Sequence, residues 1–216
     1  MNKDNSGYYR EEFERIARFY DPVIRCLSLF LGGERRLRNR VLKDADVRTG
    51  DKVLDVGCGT GSSAVIIAEK IGDKGKIVGV DMSANMLKIA LSKFKYNNLF
   101  FIRANAENIP SSDNYFDRVH MSIVLHEMIR LGRSNTLKEI YRVLKHEGRL
   151  IAIDFNKPNG FFKNLIFNFI MLMETETARD MIKRTLKDEI EKAGFIIEKV
   201  DYMLNTFIQV IIARKS

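Results

Sequence analysis

The sequence predicts an α/β fold: a mostly parallel seven-stranded sheet finished by one antiparallel hairpin. Three observations carry this. From residue 52 onward, short apolar runs alternate with helix-periodic segments, the order of a parallel sheet covered on both faces. The first apolar run, Val53-Leu54-Asp55-Val56, delivers the chain to a turn with glycines at alternate positions, Gly57, Gly59 and Gly61. The last two apolar runs, near 195–200 and 204–213, lie too close together for a crossover helix and must pair as a hairpin.

The elements follow in order. Phe13, Ile16, Ala17 and Tyr20 recur at helical spacing until Pro22 breaks the pattern. Val23 to Leu31 is a second apolar segment, stopped by Gly32-Gly33, and a helix with Leu37, Val41 and Leu42 inward leads to the turn Thr49-Gly50-Asp51. Strands are expected near 52–57, 76–81, 99–103, 116–121 and 148–154, with helices near 62–71, 83–96 and 134–145. Lys74-Gly75 is a turn, and Ser83 is a suitable N-cap. A helix near 178–193 ends at Gly194, ahead of the hairpin.

At 216 residues, with 45% hydrophobic and 30% charged residues, the chain has the composition of a globular domain with ample core. Its strongly apolar stretch Phe161 to Met173 is interrupted by Lys163, Asn164 and Asn168 and falls short of the roughly 18–20 residues that span a bilayer. The opening Met1 to Glu14 is polar, unlike a signal peptide, and Cys26 and Cys58 give no disulfide framework. A cytoplasmic location is expected. The net charge of +8 permits an anionic partner. Its one cluster, Glu34-Arg35-Arg36-Leu37-Arg38-Asn39-Arg40, reads either as a solvated helix face or as a patch for phosphate or lipid head groups. No nucleic-acid partner and no metal are expected.

The glycine loop opens a helix at Ser62, and glycine lets a ligand lie directly on backbone N–H groups. The second strand ends in Gly79-Val80-Asp81, an acid placed to take the two hydroxyls of a ribose. Capping the next helix is the competing use of Asp81, but Ser83 already serves it. The pair describes a pocket for a nucleoside-containing cofactor. Dinucleotide loops need G-x-G-x-x-G/A; here the third glycine comes one position early, and no G-x-x-x-x-G-K-[ST] phosphate loop is present.

The D-x-G-x-G-x-G form, Asp55 to Gly61, instead resembles motif I of class I S-adenosylmethionine (SAM)-dependent methyltransferases, whose loop wraps the methionine end of the cofactor. Four further blocks follow in that family's order: Asp81-Met82, then Asn105-Ala106-Glu107-Asn108-Ile109-Pro110, then Phe116-Asp117-Arg118-Val119 running to Leu125-His126, then Tyr141 to Leu150. Within the class, Phe13-Glu14-Arg15-Ile16-Ala17-Arg18-Phe19-Tyr20-Asp21 and Asp154-Phe155-Asn156-Lys157-Pro158 resemble the ubiquinone/menaquinone C-methyltransferase group. The resemblance implies a Rossmann-like three-layer sandwich with SAM as donor and S-adenosylhomocysteine as product. It assigns cofactor binding to Tyr20, Asp55, Gly57, Cys58, Gly59, Gly61, Asp81, Met82, Asn105, Ala106 and Ser122. Asp81 takes the ribose and Met82 the adenine face, unless Met82 is simply core. Asn105 and the next N–H read the adenine edge, unless Asn105 only forms an Asx turn; backbone carbonyls near Ser122 hold the ammonium group. Asn105 stands where the family's commoner residue is Asp, and His146 and Glu147 replace the usual Pro-Gly before the fifth strand.

The expected organisation is N-terminal helices over 1–46 covering the active site, and a core over 47–216 with a helical lid near 156–184. Quinone enzymes carry a longer tyrosine- and arginine-rich insert after the fifth strand, absent between Asn156 and Arg184. The apolar segment 161–173 reads as a structural lid, as a portal for a hydrophobic substrate, or as a surface docking on a membrane or a second subunit, so monomer and homodimer both stay open. His126 is the candidate for acid–base work or substrate orientation, against a loop histidine without chemical role. Tyr8, Tyr9 and Tyr20 are candidates for the mouth of the site, and Cys58 reads as a small buried turn residue rather than a nucleophile. The expected reaction is methyl transfer to a small hydrophobic or amphiphilic acceptor. The alternatives are a phospholipid head-group N-methyltransferase and a SAM-binding regulatory or assembly protein without catalysis.

Overall fold

A computed structural model describes residues 34–93, 96–173, 176–204 and 206–216. The helices expected over 13–20 and 23–31, and with them Tyr8, Tyr9, Tyr20 and Cys26, lie outside the described residues. The chain runs α1 (Glu34–Asp44), β1 (Lys52–Val56), α2 (Ser62–Ile71), β2 (Lys76–Asp81), α3 (Ala84–Ser92), β3 (Leu99–Arg103), β4 (Phe116–Ser122), a 3₁₀ turn (Leu125–Glu127), α4 (Arg130–Val143) and β5 (Leu144–Phe155). Three helices follow, α5 (Phe161–Met173), α6 (Glu176–Arg184) and α7 (Leu186–Lys192), then β6 (Phe195–Met203) and β7 (Ile208–Lys215).

The seven strands lie in the order β3-β2-β1-β4-β5-β7-β6. β1 to β5 are parallel, and β7 runs antiparallel between β5 and β6, the hairpin expected of the tail. Parallel strands buried on both faces need continuous apolar sequence, and β1 and β2 supply it. One face packs Ala64, Ile67 and Ile71 of α2, Val41 and Leu42 of α1 and Ala45 just after it against Val53, Ile77 and Ile151. The other packs Leu137 and Ile140 of α4, Met181 of α6 and Leu186 and Ile190 of α7 against Leu54, Val119 and Met121. The result is a three-layer sandwich. Val41, Leu42 and Ala45, within the 1–46 segment expected to cover the active site, are buried in that core layer.

Among the elements that differ from their expected bounds, three do so for local reasons that the structure shows. β5 begins at Leu144 because Leu144 pairs with Phe116 before the register shifts to Arg149 opposite Arg118. Lys145 to Gly148 therefore bulge within the strand, with Glu147 at φ 62. α4 starts at Arg130, four residues early, without a side-chain cap to announce it. The helix expected over 178–193 is two helices, broken at Thr185, whose φ is 59 and whose hydroxyl accepts from Asp188 N at 3.3 Å as the N-cap of α7.

Candidate cofactor and methyl-transfer site

Parallel strands bring the carboxyl ends of β1, β2, β4 and β5 to one edge, where α/β sheets bind ligands. The loop between β1 and α2 holds Gly57, Gly59 and Gly61 at φ 65, 51 and 76, the left-handed region that side chains disfavour. Gly61 has a second constraint: a Cβ there would stand 2.8 Å from Phe101 Cζ and 3.1 Å from Ala90 Cβ. At Gly59 a Cβ would meet nothing within 4 Å among the described residues.

Asp81 ties this loop to β2. Its Oδ2 accepts from Gly59 N and its Oδ1 from Ser83 N, both at 2.8 Å. Ser83 caps α3 as expected, its hydroxyl accepting from Met86 N at 3.2 Å. Each carboxylate oxygen accepts more than one hydrogen bond, so the acid stands at the loop as an acceptor suited to a diol. The loop itself carries no basic side chain. A carboxylate acceptor at the end of β2 beside a glycine turn suits a nucleoside-containing cofactor.

Cys58 is buried between these acids. Burial pushes its thiol well above the usual range, and the charges of Asp55 and Asp81 push the same way. That makes it a turn residue and not a nucleophile. Met82 is half-buried, its carbonyl accepting from Arg103 Nε at 2.9 Å. Asn105 forms the Asx turn, with Oδ1 accepting from Glu107 N at 2.9 Å, and Ala106 beside it is buried. Ser122, half-buried, ends β4, and Ile123 after it has φ 57. A β-branched residue in that region costs about 1–2 kcal/mol. Its N–H, bonded to Ile153 O at 2.8 Å, holds the turn against β5.

Beyond that turn His126 is buried between two acids. Nδ1 faces Asp154 Oδ1 at 2.9 Å, Nε2 faces Glu127 Oε1 at 3.0 Å, and its backbone N donates to Asp154 Oδ2 at 3.2 Å. Phe155 packs edge-on at 4.7 Å between ring centroids. Burial alone opposes a charged ring, but the Asp154 carboxylate and the hydrogen bonds to Asp154 and Glu127 outweigh it and raise His126 to about 10. In that state both ring N–H groups donate to carboxylates, so no ring nitrogen is left to accept a proton. Because the folded value lies above the unfolded one of 6.5, this stabilisation is complete below about pH 6.5 and is lost as pH rises through about 10. Thermal stability should therefore fall between pH 7 and 10, by up to about 1.4 kcal/mol per pH unit. His126→Gln should flatten that slope in calorimetric scans; parallel slopes in the two proteins would mean that the ring is neutral.

The sequence reading missed a second buried pair. Asp55, 2% exposed, is bonded through Oδ1 to His120 Nδ1 at 2.7 Å, while its Oδ2 is buried with no hydrogen-bond partner among the described residues. Asp55 and His120 are register partners on β1 and β4, a contact visible only once strand order is known. It missed Arg133 as well, a fully buried guanidinium forked onto Glu189 at 2.7 and 2.8 Å and bonded to Asp180 at 2.6 Å and to Met128 O at 2.8 Å. Arg133 thus joins α4, α6 and α7 to the turn that carries His126. Of the basic cluster near 34–40, Arg40 is exposed and lies 3.5 Å from Asp201.

Comparison with known proteins agrees with this geometry. The family model described as the ubiE/COQ5 methyltransferase family matches residues 1–175. The demethylmenaquinone methyltransferase of Symbiobacterium thermophilum is 33% identical over 177 residues, 80% of this chain and 68% of that protein. The 2-phytyl-1,4-naphtoquinone methyltransferase of Nostoc is 36% identical over 155 residues, 70% of this chain and 66% of that protein. A SAM-dependent methyltransferase from Aquifex aeolicus superposes with a TM-score of 0.64 at 23% identity, covering 83% of this chain and 89% of that one, a likeness of fold.

Proposed function

The chain belongs to the ubiE/COQ5 methyltransferase family and is a SAM-dependent methyltransferase; from that premise we propose that its acceptor is a lipid-soluble quinone in the reduced form. The observation that carries the proposal is the pair of relatives named for naphthoquinone methylation, each above 30% identity over most of this chain. The apolar helix α5, which follows β5 directly, supports it.

SAM brings the reactive centre, a methyl group on a sulfonium. In this reading Asp81 takes the ribose hydroxyls, Gly57 to Gly61 follow the methionine portion, Met82 lies on the adenine, and Ala106 N–H meets its edge, since Asn105 Oδ1 is engaged in its own turn. Asp55 supports the loop from below through His120, and the carbonyl at Ser122 receives the ammonium. The 156–184 segment roofs the acceptor. His126, with both ring nitrogens held by acids, orients the Leu125–Glu127 turn instead of removing a proton. The protein's contribution is then alignment and exclusion of water around an electron-rich ring carbon, which would take the methyl group in place of its hydrogen and release that proton to solvent as the ring regains aromaticity. Peripheral contact with a membrane surface follows from such an acceptor.

The test is methyl transfer from methyl-labelled SAM in detergent, with reduced demethylmenaquinone against phosphoethanolamine. Label on the quinol supports the proposal. Label on phosphoethanolamine alone overturns it in favour of head-group N-methylation, and label on neither under conditions where SAM binds removes the quinone acceptor.

A further inference from the structure

Among its described residues, helix α5 (Phe161–Met173) is anchored at one position and exposed along a stripe. Phe167 is buried and stacks on Phe207 at 6.0 Å between ring centroids. Phe161, Leu165 and Phe169 recur every fourth residue along one stripe and are 79%, 61% and 69% exposed. From 156 to 173 the sequence holds no acid, while Lys157 and Lys163 are both exposed. No helix among the described residues is long and apolar enough to cross a membrane. A short helix with an apolar edge and only cationic charge is the pattern of an element lying in the bilayer interface.

We propose that α5 docks the enzyme on an anionic lipid bilayer, with Phe161, Leu165 and Phe169 among the acyl chains and Lys157 and Lys163 at the head-group phosphates. This rests on the reading of the acceptor as lipid-soluble, because such a molecule resides in the phase that α5 would enter. The charge pattern favours a bilayer over a second copy of the chain. A two-fold contact sets the same patch against itself, which would gather the lysines of both copies with no acid within 156–173 to pair them.

The experiment is co-sedimentation of the full chain with vesicles that contain no acceptor. Phosphatidylcholine is compared with a mixture holding about 30% phosphatidylglycerol, at about 50 and about 500 mM salt. The wild-type protein should prefer the anionic vesicles by about tenfold or more, and salt should weaken that preference. Phe161→Ser/Phe169→Ser should lower binding by about tenfold or more with circular dichroism and melting little changed, because both side chains are largely exposed. Lys157→Glu/Lys163→Glu keeps the apolar edge and should lose the preference for anionic lipid. The chain has no tryptophan, so Phe169→Trp gives a single reporter whose emission should shift to the blue on anionic vesicles. No sedimentation of the wild-type protein, or unaltered sedimentation of the double serine variant, overturns the proposal. So does a dimer that the serine variant splits without change in lipid binding. Because the vesicles hold no acceptor, loss of docking is read separately from the acceptor: protein that binds vesicles yet methylates no quinol keeps the surface and loses the substrate.

Discussion

Replacing Asp81 by alanine is expected to weaken SAM binding by about two to three orders of magnitude, read by calorimetric titration. Two hydroxyl donors on one carboxylate are worth about 1.5–3 kcal/mol each when the acceptor is charged, and desolvation offsets part of the sum. The side chain also holds Gly59 N and Ser83 N at 2.8 Å each, so the variant loosens the glycine loop as well as losing an acceptor. Asp81→Asn keeps one acceptor oxygen and should fall between wild type and alanine. Melting of both variants without ligand separates loop damage from lost contacts. An alanine variant that binds SAM with wild-type affinity would falsify the placement of the ribose at β2.

The second large effect concerns stability. Arg133→Met should destabilise the fold by about 3–5 kcal/mol, the usual result of removing one partner from a buried ion pair. Arg133 is fully buried; Glu189, with its side chain 14% exposed, would keep a largely buried charge with no counter-ion, and Met128 O would lose its donor. Arg133→Lys keeps the charge but cannot span Glu189 and Asp180 as a fork, and should lose somewhat less. Urea denaturation reads both. If Arg133→Met/Glu189→Met recovers most of the loss, the cost lies in the abandoned carboxylate; if it recovers none, the clamp itself holds α6 and α7 in place.

What the sequence discloses and what it hides divide by the range of the interaction. The glycine turn, the acid of β2, the Ser83 cap and the alternation of strands and helices are local patterns, and the structure bears each of them out. The antiparallel hairpin was legible for a local reason too, since a short link between two strands permits nothing else. His120 gave no local sign because its partner Asp55 lies 65 residues away, and Arg133 gave none because Glu189 lies 56 away. The break at Thr185 was hidden differently: neither glycine nor proline marks it, and its hydroxyl makes the cap only after the backbone has turned. His126 was visible as a residue but not as a charge, because Asp154 on β5 decides its state.

The order of the sheet bears on how the protein is made. β5 ends at Phe155, and β7, which covers its open edge, begins at Ile208. A ribosome adding roughly 5–20 residues per second would leave β5 without its neighbour for several seconds after β1 to β5 are available. During that interval the nascent sheet presents Ile151 and Ile153 on a bare edge strand, the kind of template that recruits other chains. Slow or stalled translation between 156 and 207 should therefore lower the yield of folded enzyme more than the same delay before residue 116, so codon choice in the stretch encoding α5 to α7 becomes a determinant of expression.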